Sequence, residues 1–146
     1  METLINEQIA QQVKEVFKEL EHPVEIILFT LQGHQSSEYI QQLLDEICAL
    51  SDLLHLDIHD FDGDRELAAK YHLDKAPGFV LAGRDGTDIL DFGIRFAGLP
   101  AQFEFSSLIY GIMTVSKRDS MLKPETRKSL AEIKNLIHLM VFVTPT

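Results

Sequence analysis

Apolar residues recur every three to four positions from Leu4 and Ile5 through Ile9, Val13, Val16, Phe17 and Leu20. That is the period of a helix with one buried face. His22-Pro23 predicts its end, because proline opposes helical backbone in the residue before it. Val24-Glu25-Ile26-Ile27-Leu28-Phe29 follows as a nearly unbroken apolar run, which suits a strand covered on both faces. Helical spacing returns with Ile40, Leu43, Leu44, Ile47 and Leu50, and Ser36 or Ser37 is placed to cap that helix. Leu54-His55-Leu56-Asp57-Ile58-His59 alternates with period two, as a half-covered strand does. Asp64 is expected to cap a short helix reaching Tyr71. Residues 78–82 read as a third strand, Arg84-Asp85-Gly86-Thr87 as a turn and residues 88–96 as the returning strand. Pro100 introduces a helix with Phe105, Leu108, Ile109, Ile112 and Met113 on one side.

The predicted order is α-β-α-β-α-β-β-α. Two strands joined by a helical crossover, then a hairpin and a closing helix, make an α/β unit. Its central sheet is mixed and flanked by helices, the outline of a thioredoxin-like fold. Beyond it, Lys123-Pro124-Glu125 opens another helix, with proline in the first turn. This leads into Ile137-His138-Leu139-Met140-Val141-Phe142-Val143-Thr144, so the opening helix-then-strand pattern is repeated. The expected division is therefore a unit over residues 1–118 and the start of a second, a helix and a strand, over residues 119–146. An apolar strand without its own sheet is an aggregation hazard. Residues 137–143 are thus expected to pair with an edge of their own unit or with another copy, giving a homodimer.

Composition narrows the function classes. A chain of 146 residues with 45% apolar and 25% charged residues has the profile of a globular protein with an ordinary core. A net charge of −10 argues against nucleic acid, whose phosphates call for clustered Lys and Arg. No apolar run approaches the roughly 20 residues of a spanning helix, so no membrane partner is expected. Met1-Glu2-Thr3 opens no export signal, and the expected location is the cytoplasm. Cys48 is the single cysteine, so no internal disulfide can form.

Phe92-Gly93-Ile94-Arg95-Phe96-Ala97-Gly98-Leu99-Pro100, running on through Glu104-Phe105-Ser106-Ser107-Leu108-Ile109, carries a resemblance. The stretch resembles the first unit of glutaredoxin-like protein disulfide oxidoreductases, built from two tandem thioredoxin folds. It is also similar to the N-terminal domain of the flavoprotein component of alkyl hydroperoxide reductase, and it does not separate the two families. In both, the strand matching residues 137–143 runs into the Cys-x-x-Cys of the second unit. The resemblance therefore implies a second thioredoxin-like unit beyond Thr146. In the oxidoreductases the first unit often has its own Cys-x-x-Cys. Here Gly33-His34-Gln35-Ser36-Ser37 occupies that place, with His34 and Ser37 in the two cysteine slots. Exchange needs a thiolate, which neither histidine nor serine supplies.

The resemblance puts Pro77, after Lys75-Ala76, at the cis-proline position of thioredoxin folds. Ala76 and Pro77 would then present backbone groups to an extended polypeptide as an added strand. His34, Gln35, Ser36 and Ser37 are expected to form a degenerate motif with no catalytic residue. Cys48, beside Ile47 on the apolar stripe, is expected to be buried and inert. His55, Asp57 and His59 share a strand face but lack the further ligands a structural zinc needs. Asp60-Phe61-Asp62-Gly63-Asp64 fails as a calcium loop, since its sixth position is Arg65 and its twelfth Tyr71. No metal is expected. No phosphate-cradling or dinucleotide glycine pattern appears, so no cofactor is expected either. Arg95 is read as a structural contact.

The expectation is thus a non-catalytic unit of a disulfide oxidoreductase acting in cell redox homeostasis, inactive alone. It would support substrate, or present it, to a dithiol in the second unit. The alternatives are a free-standing polypeptide-binding module and a docking unit that engages a redox partner protein in a peroxide-reducing flavoprotein system.

Overall fold

A computed structural model describes residues 2–100 and 103–143. The first helix, α1, spans Glu7–Phe17, and Asn6 Oδ1 caps it by accepting the Ile9 N–H at 2.8 Å. Val13 and Phe17 turn inward and Leu20 follows them into the core. After Pro23 comes β1, Val24–Thr30, whose first six residues are all buried. Helix α2 spans Gln35–Cys48, β2 Leu54–Asp60, α3 Arg65–Lys70, β3 Gly78–Asp85, β4 Asp88–Ala97 and α4 Phe103–Lys117.

The strands lie in the order β2-β1-β3-β4. β1 pairs parallel with β2 and antiparallel with β3, and β3 with β4 antiparallel, so the sheet is mixed as expected. The apolar run of β1 is explained by its central place. Val24, Ile26 and Leu28 join Phe79 and Leu81 under side chains of α1, α2 and α4. Ile27 and Phe29 face the other way, with Val80, Ala82, Ala68, Tyr71 and Leu73. Each Val, Leu, Ile or Phe among them withdrawn from water contributes roughly 1.5–3 kcal/mol. The sheet is therefore held on both faces, by three helices on one and by α3 with its following turn on the other.

The expected repeat of helix and strand is only half realised. Helix α5 forms over Pro124–Ala131, but residues 133–143 carry neither helix nor strand. Every described residue from Met121 to Val143 is exposed, Leu136 fully and Phe142 to 87%. The expected strand at 137–143 is thus not formed, and neither β2 nor β4 receives it at the sheet edges. Strand backbone needs a neighbour to take its N–H and C=O groups, and apolar pattern alone supplies none.

Candidate functional site

The C-terminal ends of β1 and β2 and the start of β3 converge on one end of the sheet. β1 runs into Leu31-Gln32-Gly33-His34, where Gly33 has φ of +72°, a backbone region that favours glycine. His34 takes the N-cap position of α2, exposed, and its side chain makes no capping bond. Gln35 and Ser36 are exposed in the first turn. Ser37 does not cap the helix: it is 3% exposed, and its Oγ accepts the Leu31 N–H at 2.9 Å. That bond fastens the loop to the helix it precedes.

Phe29 lies opposite Gly78 in the antiparallel register, which sets Pro77 beside Thr30, at the end of the sheet where β1 gives way to the His34 loop. The Ala76–Pro77 peptide bond is cis. Pro77 has no N–H, and its C=O accepts the Gly98 N–H at 2.9 Å. Among the described residues no hydrogen bond occupies either backbone group of Ala76. Of the two residues, only Ala76 keeps a free donor and acceptor for an added strand. Gly78 allows the chain to close here, because a Cβ would come within 2.9 Å of Lys75 O and 3.0 Å of Phe96 O.

Sulfur is far from this end. Cys48 is the last residue of α2, about 20 Å along the helix axis from Gln35. It packs against the main core, as expected, and is part-buried rather than wholly enclosed. Burial, with the charges of Asp45 and Glu25, pushes its thiol pKa up to about 12. A thiol so rarely ionised is a poor nucleophile.

The other candidates are structural. Arg95 Nε donates to Tyr71 O at 2.5 Å, and its other nitrogens reach Asp91 at 2.7 and 2.8 Å, tying β4 to the end of α3. The Arg95 hydrogen bond holds the Asp91 carboxyl below the usual carboxylate range. Asp64 sits at the N-cap of α3 but makes no cap bond; its carboxylate meets His59 Nδ1 at 3.0 Å instead. His59 Nε2 meets Asp57 at 2.9 Å, so both ring nitrogens are taken. Asp60 Oδ2 accepts the Gly63 N–H at 2.8 Å. Among the described residues no cluster of His, Cys, Asp or Glu is arranged to hold a metal ion, and no helix is long and apolar enough to cross a membrane.

Some of this was beyond reach of the sequence. The unequal state of Ala76 and Pro77 depends on Gly98, twenty-one positions after Pro77, folding back as β4 ends. The His59 contacts had a local signal, carboxylates two residues before it and five after, but no reason to select that pairing over a helix cap.

No protein-family model matches the chain. Over 147 residues it is 29% identical to the AhpF component of alkyl hydroperoxide reductase from Staphylococcus aureus, strain Mu50, covering 98% of this chain and 25% of the relative. The corresponding protein of Staphylococcus epidermidis is 27% identical over 143 residues. The chain spans about a quarter of the length of these curated relatives. The crystal structure of the NTD_N/C domain of alkyl hydroperoxide reductase AhpF from Enterococcus faecalis superposes with a TM-score of 0.77 at 25% identity, covering 86% of this chain and 59% of that one. A protein disulfide oxidoreductase from Aeropyrum pernix superposes with a TM-score of 0.75 at 22% identity, covering 88% and 55%, a likeness of fold. The chain thus has a thioredoxin-like α/β fold and is related to the AhpF component of alkyl hydroperoxide reductase, in the region of its N-terminal domain.

Proposed function

We propose that this chain is a non-catalytic thioredoxin-fold unit of a two-unit protein that carries out thiol–disulfide exchange. It supports or presents an extended polypeptide or a redox partner to a dithiol held by a following unit. The observation that carries this reading is the site end itself. Its fold and loop are in place, while the motif slots hold His34 and Ser37 and the only cysteine thiol stands about 20 Å away with a pKa of about 12. The free backbone groups of Ala76 supply one donor and one acceptor for an added strand. Exposed apolar residues from Leu136 to Phe142 fit a chain that a following unit covers. Cytoplasmic location belongs to the same proposal, as does the division near residue 118.

The relatives favour one setting. They are components of alkyl hydroperoxide reductase, and the chain matches about a quarter of their length. We therefore place the unit in a peroxide-reducing system, as a docking and supporting element for electron transfer through thiols.

Two measurements test the proposal. In the insulin turbidity assay with dithiothreitol, the chain is expected to add nothing to the uncatalysed rate; turnover above that rate overturns the non-catalytic reading. Titration with reduced, alkylated insulin B chain is expected to shift the amide signals of Ala76 and Gly78 first. Shifts confined to other surfaces overturn the presenting role.

A further inference from the structure

His59 lies near the end of the edge strand β2, its ring stacked on Phe29 of β1 at a centroid distance of 5.4 Å. Nε2 is 2.9 Å from Asp57 on the same strand, and Nδ1 is 3.0 Å from Asp64 at the head of α3. An ionised carboxylate only accepts hydrogen bonds. A neutral imidazole donates from one nitrogen and presents a lone pair on the other. Both contacts are therefore satisfied at once only by the imidazolium; in the neutral ring, one nitrogen lone pair would face a carboxylate oxygen.

The charges nearby are committed elsewhere. On β2, Asp60 accepts from Gly63; at the head of α3, Arg65 pairs with Asp62; from β4, Arg95 holds Asp91 and the Tyr71 carbonyl. β1 contributes two uncharged groups, the ring of Phe29 and the Thr30 hydroxyl, which donates to the His59 carbonyl at 3.2 Å. Asp64 has also given up the usual service of an N-cap aspartate to its own helix. Helix α3 has six residues, too few to persist without outside support. Its head is fastened to β2 by the Asp64 N–H on Asp60 O at 2.8 Å and, through the Asp64 side chain, by His59, and its tail runs by Tyr71 and Leu73 to Ala76–Pro77.

We propose that His59 is a proton-operated clamp on α3: as the imidazolium it ties the Asp64 side chain to β2, and loss of the proton leaves the head of α3 on its backbone bond alone and loosens the turn leading to Ala76–Pro77. Burial lowers the His59 pKa, but the hydrogen bonds and charges of Asp57 and Asp64 outweigh it and the net shift is upward. The clamp is accordingly complete below the unfolded value of about 6.5 and is lost as pH rises through the raised folded value. Both carboxylates are about half exposed, so water and salt weaken the tie.

The test is amide hydrogen exchange of the full chain by NMR, corrected for intrinsic rates, at Ala68, Tyr71 and Leu73, whose N–H groups bond Asp64, Leu67 and Ala68 carbonyls. From about pH 6 to pH 9 the opening of these amides is expected to rise about fivefold, tracking the His59 ring titration at a midpoint above 6.5. Asp64→Asn should lower that midpoint and flatten the response, and His59→Gln should abolish it. A flat wild-type profile, a His59 midpoint at or below 6.5, or an undiminished response in His59→Gln overturns the clamp.

Discussion

Glu46 on α2 holds the leading segment of the chain to the fold. Its carboxylate accepts the Leu4 N–H at 3.0 Å and the Ile5 N–H at 2.9 Å, while Gln42 donates to it at 2.9 Å. Partial burial alone would raise its pKa, but the bonds from Leu4, Ile5 and Gln42 bring it below the usual value. A lowered folded value means stability present above the unfolded pKa of about 4.3 and lost as pH falls through the folded one. Urea unfolding followed from pH 7 downward should show this loss, and Glu46→Gln should cost about 1 kcal/mol near neutrality while flattening the acid limb. Ser116 does comparable work from α4. Fully buried, its Oγ donates to His22 O at 2.7 Å and accepts the Glu21 and His22 N–H groups at 2.9 and 3.1 Å. Ser116→Ala leaves those groups without their partner and is expected to cost about 1–3 kcal/mol of unfolding free energy. An unchanged urea midpoint would remove Ser116 from the structural residues.

Elements were legible in the sequence where their cause is local, and illegible where a distant partner decides. The buried stripes of α1 and α2, the run of β1 and the alternation of β2 follow from side-chain period, which the chain carries within itself. Capping is different. Ser37 and Asp64 are cap-type residues at plausible positions, yet their oxygens meet the Leu31 N–H and His59, competitors that only the folded loop brings near. Of the candidate site, the loop at the head of α2 was legible from the pattern and the position of Pro77 came from the resemblance; which backbone groups stay free was not legible, because Gly98 occupies the Pro77 carbonyl. The same reasoning isolates what the loop lacks. The head of α2 offers a dipole that favours a thiolate, and only the sulfur is missing. His34→Cys with Ser37→Cys is expected to form an intramolecular disulfide and to give measurable insulin reduction. Failure to form the disulfide would mean that the loop and the head of α2 hold positions 34 and 37 in a geometry unfit for a disulfide. Gly78→Ala probes the other wall of the site. The added methyl meets two backbone carbonyls that cannot swing aside, and a loss of about 1–3 kcal/mol is expected from thermal unfolding.

At the scale of the whole molecule, stability and association separate along the chain. Among the described residues, the buried ones all lie between Ile5 and Ser116, and every one from Met121 to Val143 is exposed. Removing that segment takes nothing from the core. It gives up surface contacts such as Arg127 with Asp119, at 2.7 Å, worth about 0–1 kcal/mol. A chain ending at Ser120 is therefore expected to unfold within a few degrees of the full chain. Association should behave oppositely. Leu136, Leu139, Val141 and Phe142 are between 85% and 100% exposed, an apolar display that proteins standing alone seldom keep. Strand-forming residues without a neighbour seek any open edge, and β2 and β4 are both open. Light scattering over a concentration series should accordingly find the full chain self-associating, with a dimer as the smallest associated species, and the Ser120-terminated chain monomeric. Joining a following unit that covers residues 137–143 should suppress association as completely as deletion does. A full-length chain that stays monomeric at high concentration would show that the exposed segment seeks no partner, and the case for a covering unit would lose its physical basis.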